Sequence, residues 1–219
     1  MTSLSRSALL DDLVATNHIL AGLGVLDGFG QVSVRDPERA DAYLMSRALA
    51  PELVGADDIM SFDLASVPEG GDARTPYLER FIHGEIYARR ADVQAIVHSH
   101  APGVVPFAAS SVPLRPIYHM GAFLGTGVPV FEIRERFGMT DMLVRNRAQG
   151  QALADALGDC TGWRRHLPRR RRSEAGRCDQ PQRDRATLDA MEAALSRKAG
   201  WLIVRNGWEL PLPRTPAPR

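Results

Sequence analysis

Glu79-Arg80-Phe81-Ile82-His83-Gly84-Glu85-Ile86-Tyr87-Ala88-Arg89-Arg90-Ala91-Asp92-Val93-Gln94-Ala95-Ile96-Val97-His98-Ser99-His100 is the stretch whose reading decides the fold. Its second half, from Val93 to Val97, is an apolar strand-like run that ends in His-Ser-His. Side chains alternate along a strand, so His98 and His100 face one side and Ser99 the other. Two imidazoles on one face at the end of a buried strand make half of a metal site. The bland alternative is a pair of ordinary core or surface histidines. The first half is helical. Thr75-Pro76 supplies an N-cap and a proline for the first helical position, and Leu78, Phe81, Ile82 and Ile86 give a mostly apolar face. Glu79 then falls in or near the first turn, where the helix dipole favours a negative charge. That position suits a catalytic acid or base, or a charge that serves only the dipole. His83 reads as a solvent-facing helix residue.

The pattern continues on both sides. Ser5 to Leu23 carries an approximate helical stripe, closed by Gly22 and Gly24. Gly28 to Gly30 turns into an alternating strand, Gln31 to Arg35, which Asp36-Pro37 ends. Ala42 to Ser46 and Ile59 to Leu64 read as neighbouring strands, and Pro68 to Asp72 as a loop. Ala101-Pro102 opens a further helix through Ala109, and Val128 to Phe131 is a short strand. Thr140-Asp141 caps a long helix running to Leu157. Helices and strands alternate, which predicts α/β layering.

With 219 residues, 44% hydrophobic and 24% charged, the chain is long enough for one substantial core. A net charge of +1 implies no polyanionic partner, so no nucleic acid is expected. Two cysteines form no disulfide framework, and no leader-like segment is evident at Met1 to Leu10, so a cytoplasmic protein is expected. No apolar run approaches the roughly 20 residues that cross a bilayer, so no membrane contact is expected.

Several segments together resemble the class II aldolase/adducin-head family. They are Gly30-Gln31-Val32-Ser33-Val34-Arg35-Asp36-Pro37, Glu79, the helix from Phe81 to Arg90, and Ala95-Ile96-Val97-His98-Ser99-His100-Ala101. The 19-residue step from Glu79 to His98 matches the family's interval between its catalytic acid and its first metal histidine. The resemblance runs from about residue 6 to residue 158. It implies a three-layer α/β/α sandwich with a central mixed sheet, usually assembled as a homotetramer with sites between subunits. It implies a divalent metal, zinc first and manganese or another ion second, held by three histidines. It further implies carbon–carbon lyase chemistry through a metal-stabilised enolate, on a small carboxylate or carbonyl substrate.

Within the family, Ser46-Arg47-Ala48-Leu49-Ala50-Pro51-Glu52-Leu53-Val54 is similar to the branch of decarboxylases that act on hydroxylated aromatic or semialdehyde carboxylates. The phosphate-cradling loops of the sugar-phosphate aldolases have no counterpart here. Ser46 and Arg47 become candidate substrate contacts, Arg47 because a guanidinium grips a carboxylate in two places. Arg115 and His119 form a second polar set. Surface salt bridges, or a buried structural histidine at 119, are the alternatives. Ser33 and Arg35 read either as site neighbours or as ordinary strand residues. Gln31 stands where that branch often has histidine, and a glutamine carries no proton at neutral pH. Aldolase or epimerase chemistry on a sugar-like substrate, and a non-catalytic assembly module, are the other readings.

The family's third histidine ends a strand reading Arg-Gly-His-Gly. His166 lies at about the right distance, but Trp163-Arg164-Arg165-His166-Leu167-Pro168-Arg169 is basic and lacks the flanking glycines. Residues 1–158 therefore read as the family domain and 159–219 as an atypical Arg- and Pro-rich segment. Two readings stand for that segment: disordered sequence, or a stretch read one base out of frame. With CGN arginine codons, the neighbouring frame permits Gly-Val-Val-Ile-x-His-Gly.

Overall fold

The computed structural model describes residues 5–115, 117 and 128–157, together with the backbone of 203–204. Helix α1, Arg6–Gly22, begins at Ser5, whose hydroxyl accepts the Ala8 N–H at 3.3 Å. A glycine-containing turn leads into β1, Gln31–Arg35. Strands β2, Ala42–Ser46, and β3, Ile59–Asp63, follow as expected. Helix α2, Arg80–Arg89, leads to β4, Ala95–His98. The rest comprises α3, Val105–Ala108; β5, Val130–Phe131; α4, Ile133–Phe137; α5, Arg147–Leu157; and β6, Ile203–Val204.

One sheet runs β3-β2-β1-β4 with antiparallel pairings throughout. Among the described residues the parallel pairing is that of β5 with β6. Alternation along the strands divides the core in two. Val32, Val34, Leu44 and Val97 pack against Leu13 and Leu20 of α1. Tyr43, Met45, Met60, Phe62 and Ile96 share the other cluster with Ile82, Ile86 and Tyr87 of α2 and Leu153 and Leu157 of α5. Helices thus cover both faces, the α/β/α layering expected. Each buried Leu, Ile or Phe contributes on the order of 1.5–3 kcal/mol over its exposed state. α2 and α5 lie so close that a Cβ on Gly150 would stand 2.5 Å from the Phe81 carbonyl oxygen.

Three expectations need correction. α2 starts at Arg80, because the Thr75 carbonyl is taken by the Ala48 N–H at 2.8 Å and the Tyr77 hydroxyl donates to the Leu49 carbonyl. Glu79 is therefore the cap residue, beside the first turn. The long helix starts at Arg147 rather than at Thr140. Thr140 and Asp141 accept the N–H groups of Met142 and Leu143 in tight turns, and Met142 has φ of 68°. Asn146 is the true cap, accepting the Gln149 N–H at 3.0 Å. His83 is fully buried rather than solvent-facing, since α2 is covered by the sheet on one side and α5 on another. Among the described residues, no helix is long and apolar enough to cross a membrane.

Candidate metal centre

The β4 terminus behaves as alternation predicts. Gln31 of β1 lies opposite His98 in the register. Ser99 points the other way, its hydroxyl donating to the Val25 carbonyl at 2.6 Å, beyond the end of α1. His98 and His100 come together as an edge-on pair with ring centroids 4.9 Å apart. Glu79 enters from the start of α2. Its Oε1 accepts the Val144 N–H at 3.1 Å, and its Oε2 lies 3.9 Å from His98 Nδ1. One potential ligand atom from each of Glu79, His98 and His100 falls within 4.8 Å of the others.

Burial governs the ionisation of this set. Burial, followed by the neighbouring His100, pushes the His98 imidazole down to about 4. Burial raises the Glu79 carboxyl, opposed by the Val144 N–H. His98 Nδ1 is buried without a hydrogen-bond partner. Buried polar atoms in native proteins nearly always have partners, so an orphan facing a carboxylate across 3.9 Å fits a group held between them. Two imidazoles and a carboxylate are a donor set suited to a divalent cation such as zinc.

Behind His98 lies a buried polar chain. His83 Nε2 donates to Gln31 Oε1 at 3.2 Å, and its Nδ1 accepts from the Ser33 hydroxyl at 2.6 Å. The Tyr87 hydroxyl in turn donates to Ser33 Oγ at 2.9 Å. Burial, with a contribution from His98, depresses His83 to about 3, so it is neutral. On the open side, both oxygens of Asp27 face His100 Nδ1, at 3.1 and 3.2 Å. Asp27 and the His83 chain were not legible as site neighbours. Gly28 to Gly30 read as a turn, and Asp27 serves that turn by accepting the Phe29 N–H at 3.0 Å.

The remaining candidates are more dispersed. Ser46 is buried at the end of β2. Arg47 binds Asp58 through Nε at 2.6 Å, the salt-bridge alternative. Arg115 is exposed. His119 and His166 lie outside the described residues. Ser33 serves the His83 chain, and Arg35 is a buried clamp on backbone carbonyls.

A helix-covered sheet with a histidine pair at one strand end and a carboxylate facing it defines an α/β protein with a candidate metal centre. The chain belongs to the Class II Aldolase and Adducin N-terminal domain family, which matches residues 11–166. It is 43% identical over 145 residues to the decarboxylase tropJ of Talaromyces stipitatus, covering 64% of this chain and 54% of that protein. It is 31% identical over 175 residues to the 3,4-dihydroxyphthalate decarboxylase of Arthrobacter keyseri, covering 71% of this chain and 65% of that one. The chain thus spans between about half and two-thirds of the length of these relatives. The structure of L-fuculose 1-phosphate aldolase from Glaciozyma antarctica PI12 is similar at a TM-score of 0.56 and 25% identity, covering 70% of this chain and 58% of that one.

Proposed function

We propose that this chain carries the centre of a divalent-metal-dependent carbon–carbon lyase, with decarboxylation of a hydroxylated aromatic or semialdehyde carboxylate as its reaction. The observation that carries the reading is the buried, unpartnered His98 Nδ1 facing Glu79 beside His100. The two decarboxylase relatives support the bond event. His98 and His100 would hold the metal with His166 as the candidate third histidine, and Glu79 lies within reach of the pair as the proton-carrying group. A bound divalent cation, zinc first by ligand type, supplies Lewis acidity toward a substrate oxygen.

The chain's own residues do the rest. The Val144 N–H pins one oxygen of Glu79 and leaves the other toward the histidines. Desolvation lets that carboxyl hold a proton more tightly than an exposed one. Loss of carbon dioxide leaves an electron pair on the substrate carbon, and Glu79 delivers the proton that quenches it. Ser46, Arg47, Arg115 and His119 are the residues offered to the substrate, either arginine to its carboxylate. Assembly into a homotetramer and a cytoplasmic setting belong to the same reading. Aldol cleavage of a small hydroxy-carbonyl is the second reading, favoured by the likeness to the fuculose phosphate aldolase.

Metal analysis of the purified chain tests this. It should contain, or take up on reconstitution, about one divalent ion per chain, and the His98→Ala/His100→Ala double variant should take up none. Failure of the unaltered chain to bind Zn²⁺ or Mn²⁺ defeats the proposal. With metal loaded, Glu79→Gln should lower carbon dioxide release from a dihydroxyphthalate by about 10²-fold or more. Release of an aldehyde product instead would favour the aldol reading.

A further inference from the structure

The geometry points to Asp27 as a positioning residue that fixes the tautomer and orientation of His100 for metal binding. Asp27 lies in the turn between α1 and β1, and its two carboxylate oxygens face His100 Nδ1 at 3.1 and 3.2 Å. An ionised carboxylate only accepts hydrogen bonds, so Nδ1 must be the protonated nitrogen. Nε2 is then the nitrogen whose lone pair is left for a ligand. The carboxylate is itself held. It accepts the Phe29 N–H at 3.0 Å, and the Asp27 carbonyl accepts the Gly30 N–H at 3.1 Å. Asp27 is therefore restrained by the turn, with both carboxylate oxygens aimed at His100 Nδ1. The contrast with His98 is informative, since His98 Nδ1 has no partner of this kind. One histidine of the pair is oriented by the strand and its burial, the other by a carboxylate from a different element.

The inference rests on the metal-centre reading, and the test separates the two. Zn²⁺ affinity would be measured by chelator competition on the full chain and on the Asp27→Ala, Asp27→Asn and Glu52→Ala variants. Asp27→Ala should bind Zn²⁺ about 10–100-fold more weakly. Asp27→Asn keeps an acceptor for Nδ1–H and should recover a substantial part of that loss. Glu52 lines the same shallow surface pocket as Asp27, and Glu52→Ala removes that acidic group and should leave affinity unchanged. In parallel, nitrogen NMR of the metal-free protein should show His100 protonated at Nδ1 in the unaltered chain, and a shifted tautomer balance in Asp27→Ala. Equal affinities for the unaltered chain and Asp27→Ala, or an unchanged tautomer, overturn the role of Asp27. If the unaltered chain binds no Zn²⁺, the metal-centre reading fails, and the tautomer measurement still decides what Asp27 does to His100.

Discussion

His83 has both ring nitrogens engaged, one by the Gln31 amide oxygen and one by the Ser33 hydroxyl, so the folded protein holds it neutral. Its folded value is about 3 against an ordinary 6.5. Between those values the unfolded chain binds a proton that the folded chain refuses, so stability falls as pH falls. The loss begins near pH 6.5 and continues toward 3, at up to about 1.4 kcal/mol per pH unit. His98, depressed to about 4, acts in the same direction. Glu79, whose carboxyl is raised, opposes both over the range just above 4.5. Urea denaturation of metal-free protein from pH 7.5 to 5 should therefore show a steep loss of stability. His83→Gln should show roughly half that slope, and equal slopes would mean that His83 is not held neutral. At this scale the His98, His100 and Glu79 set was legible from strand alternation and spacing. Asp27 and the buried state of His83 were not. Each depends on a contact between segments distant in sequence, and each has a mundane local reading, a turn former and a helix surface residue.

Arg35 shows the same limit for an element. In the sequence it is a polar end to an alternating strand. In the fold it is a fork that ties β1 to the end of α2. Nε donates to the Val93 carbonyl at 3.1 Å, Nη1 to Ala40 at 2.6 Å, and Nη2 to Tyr87 at 2.9 Å and Arg90 at 3.1 Å. The Tyr87 and Arg90 carbonyls belong to the last turn of α2 and its cap, where a cation is favoured by the helix dipole. The guanidinium also sits 4.8 Å from the centre of the Tyr87 ring. A lysine keeps the charge but cannot span four carbonyls in one plane. Arg35→Lys should destabilise the chain by about 2–4 kcal/mol, since several charge-assisted hydrogen bonds are lost and buried carbonyls go unpaired. Chemical denaturation measures it, and a loss below about 0.5 kcal/mol would show that the clamp is not structural. Strand and helix identities were largely legible because their periods are local. The starts of α2 and α5 were not, because Thr75 and Asp141 make contacts that compete with helix initiation.

At the scale of the molecule, the three layers follow from where the apolar residues fall on alternating strands, and the family match agrees with that layering. The third imidazole is decided by the stretch around His166. The family match stops at residue 166, inside a run that contains Arg164, Arg165, Arg169, Arg170, Arg171 and Arg172. A cluster of guanidinium groups beside a divalent cation opposes its binding, so this run is a poor host for a metal histidine. If the arginines use CGN codons, the frame one base over permits Gly-Val-Val-Ile-x-His-Gly, which would supply the third histidine. Sequencing the gene across Trp163 to Arg172 decides between the two frames. The expected outcome is a His-Gly strand in the neighbouring frame, and protein made from the restored frame should bind Zn²⁺ more tightly than the present chain. If the bases encode no histidine there, the present frame stands and Glu79 is the donor that the described residues offer beside the two histidines. In that case Glu79→Gln should weaken Zn²⁺ binding to the present chain, whereas with a third histidine supplied from the restored strand it should lower carbon dioxide release and leave metal affinity nearly intact.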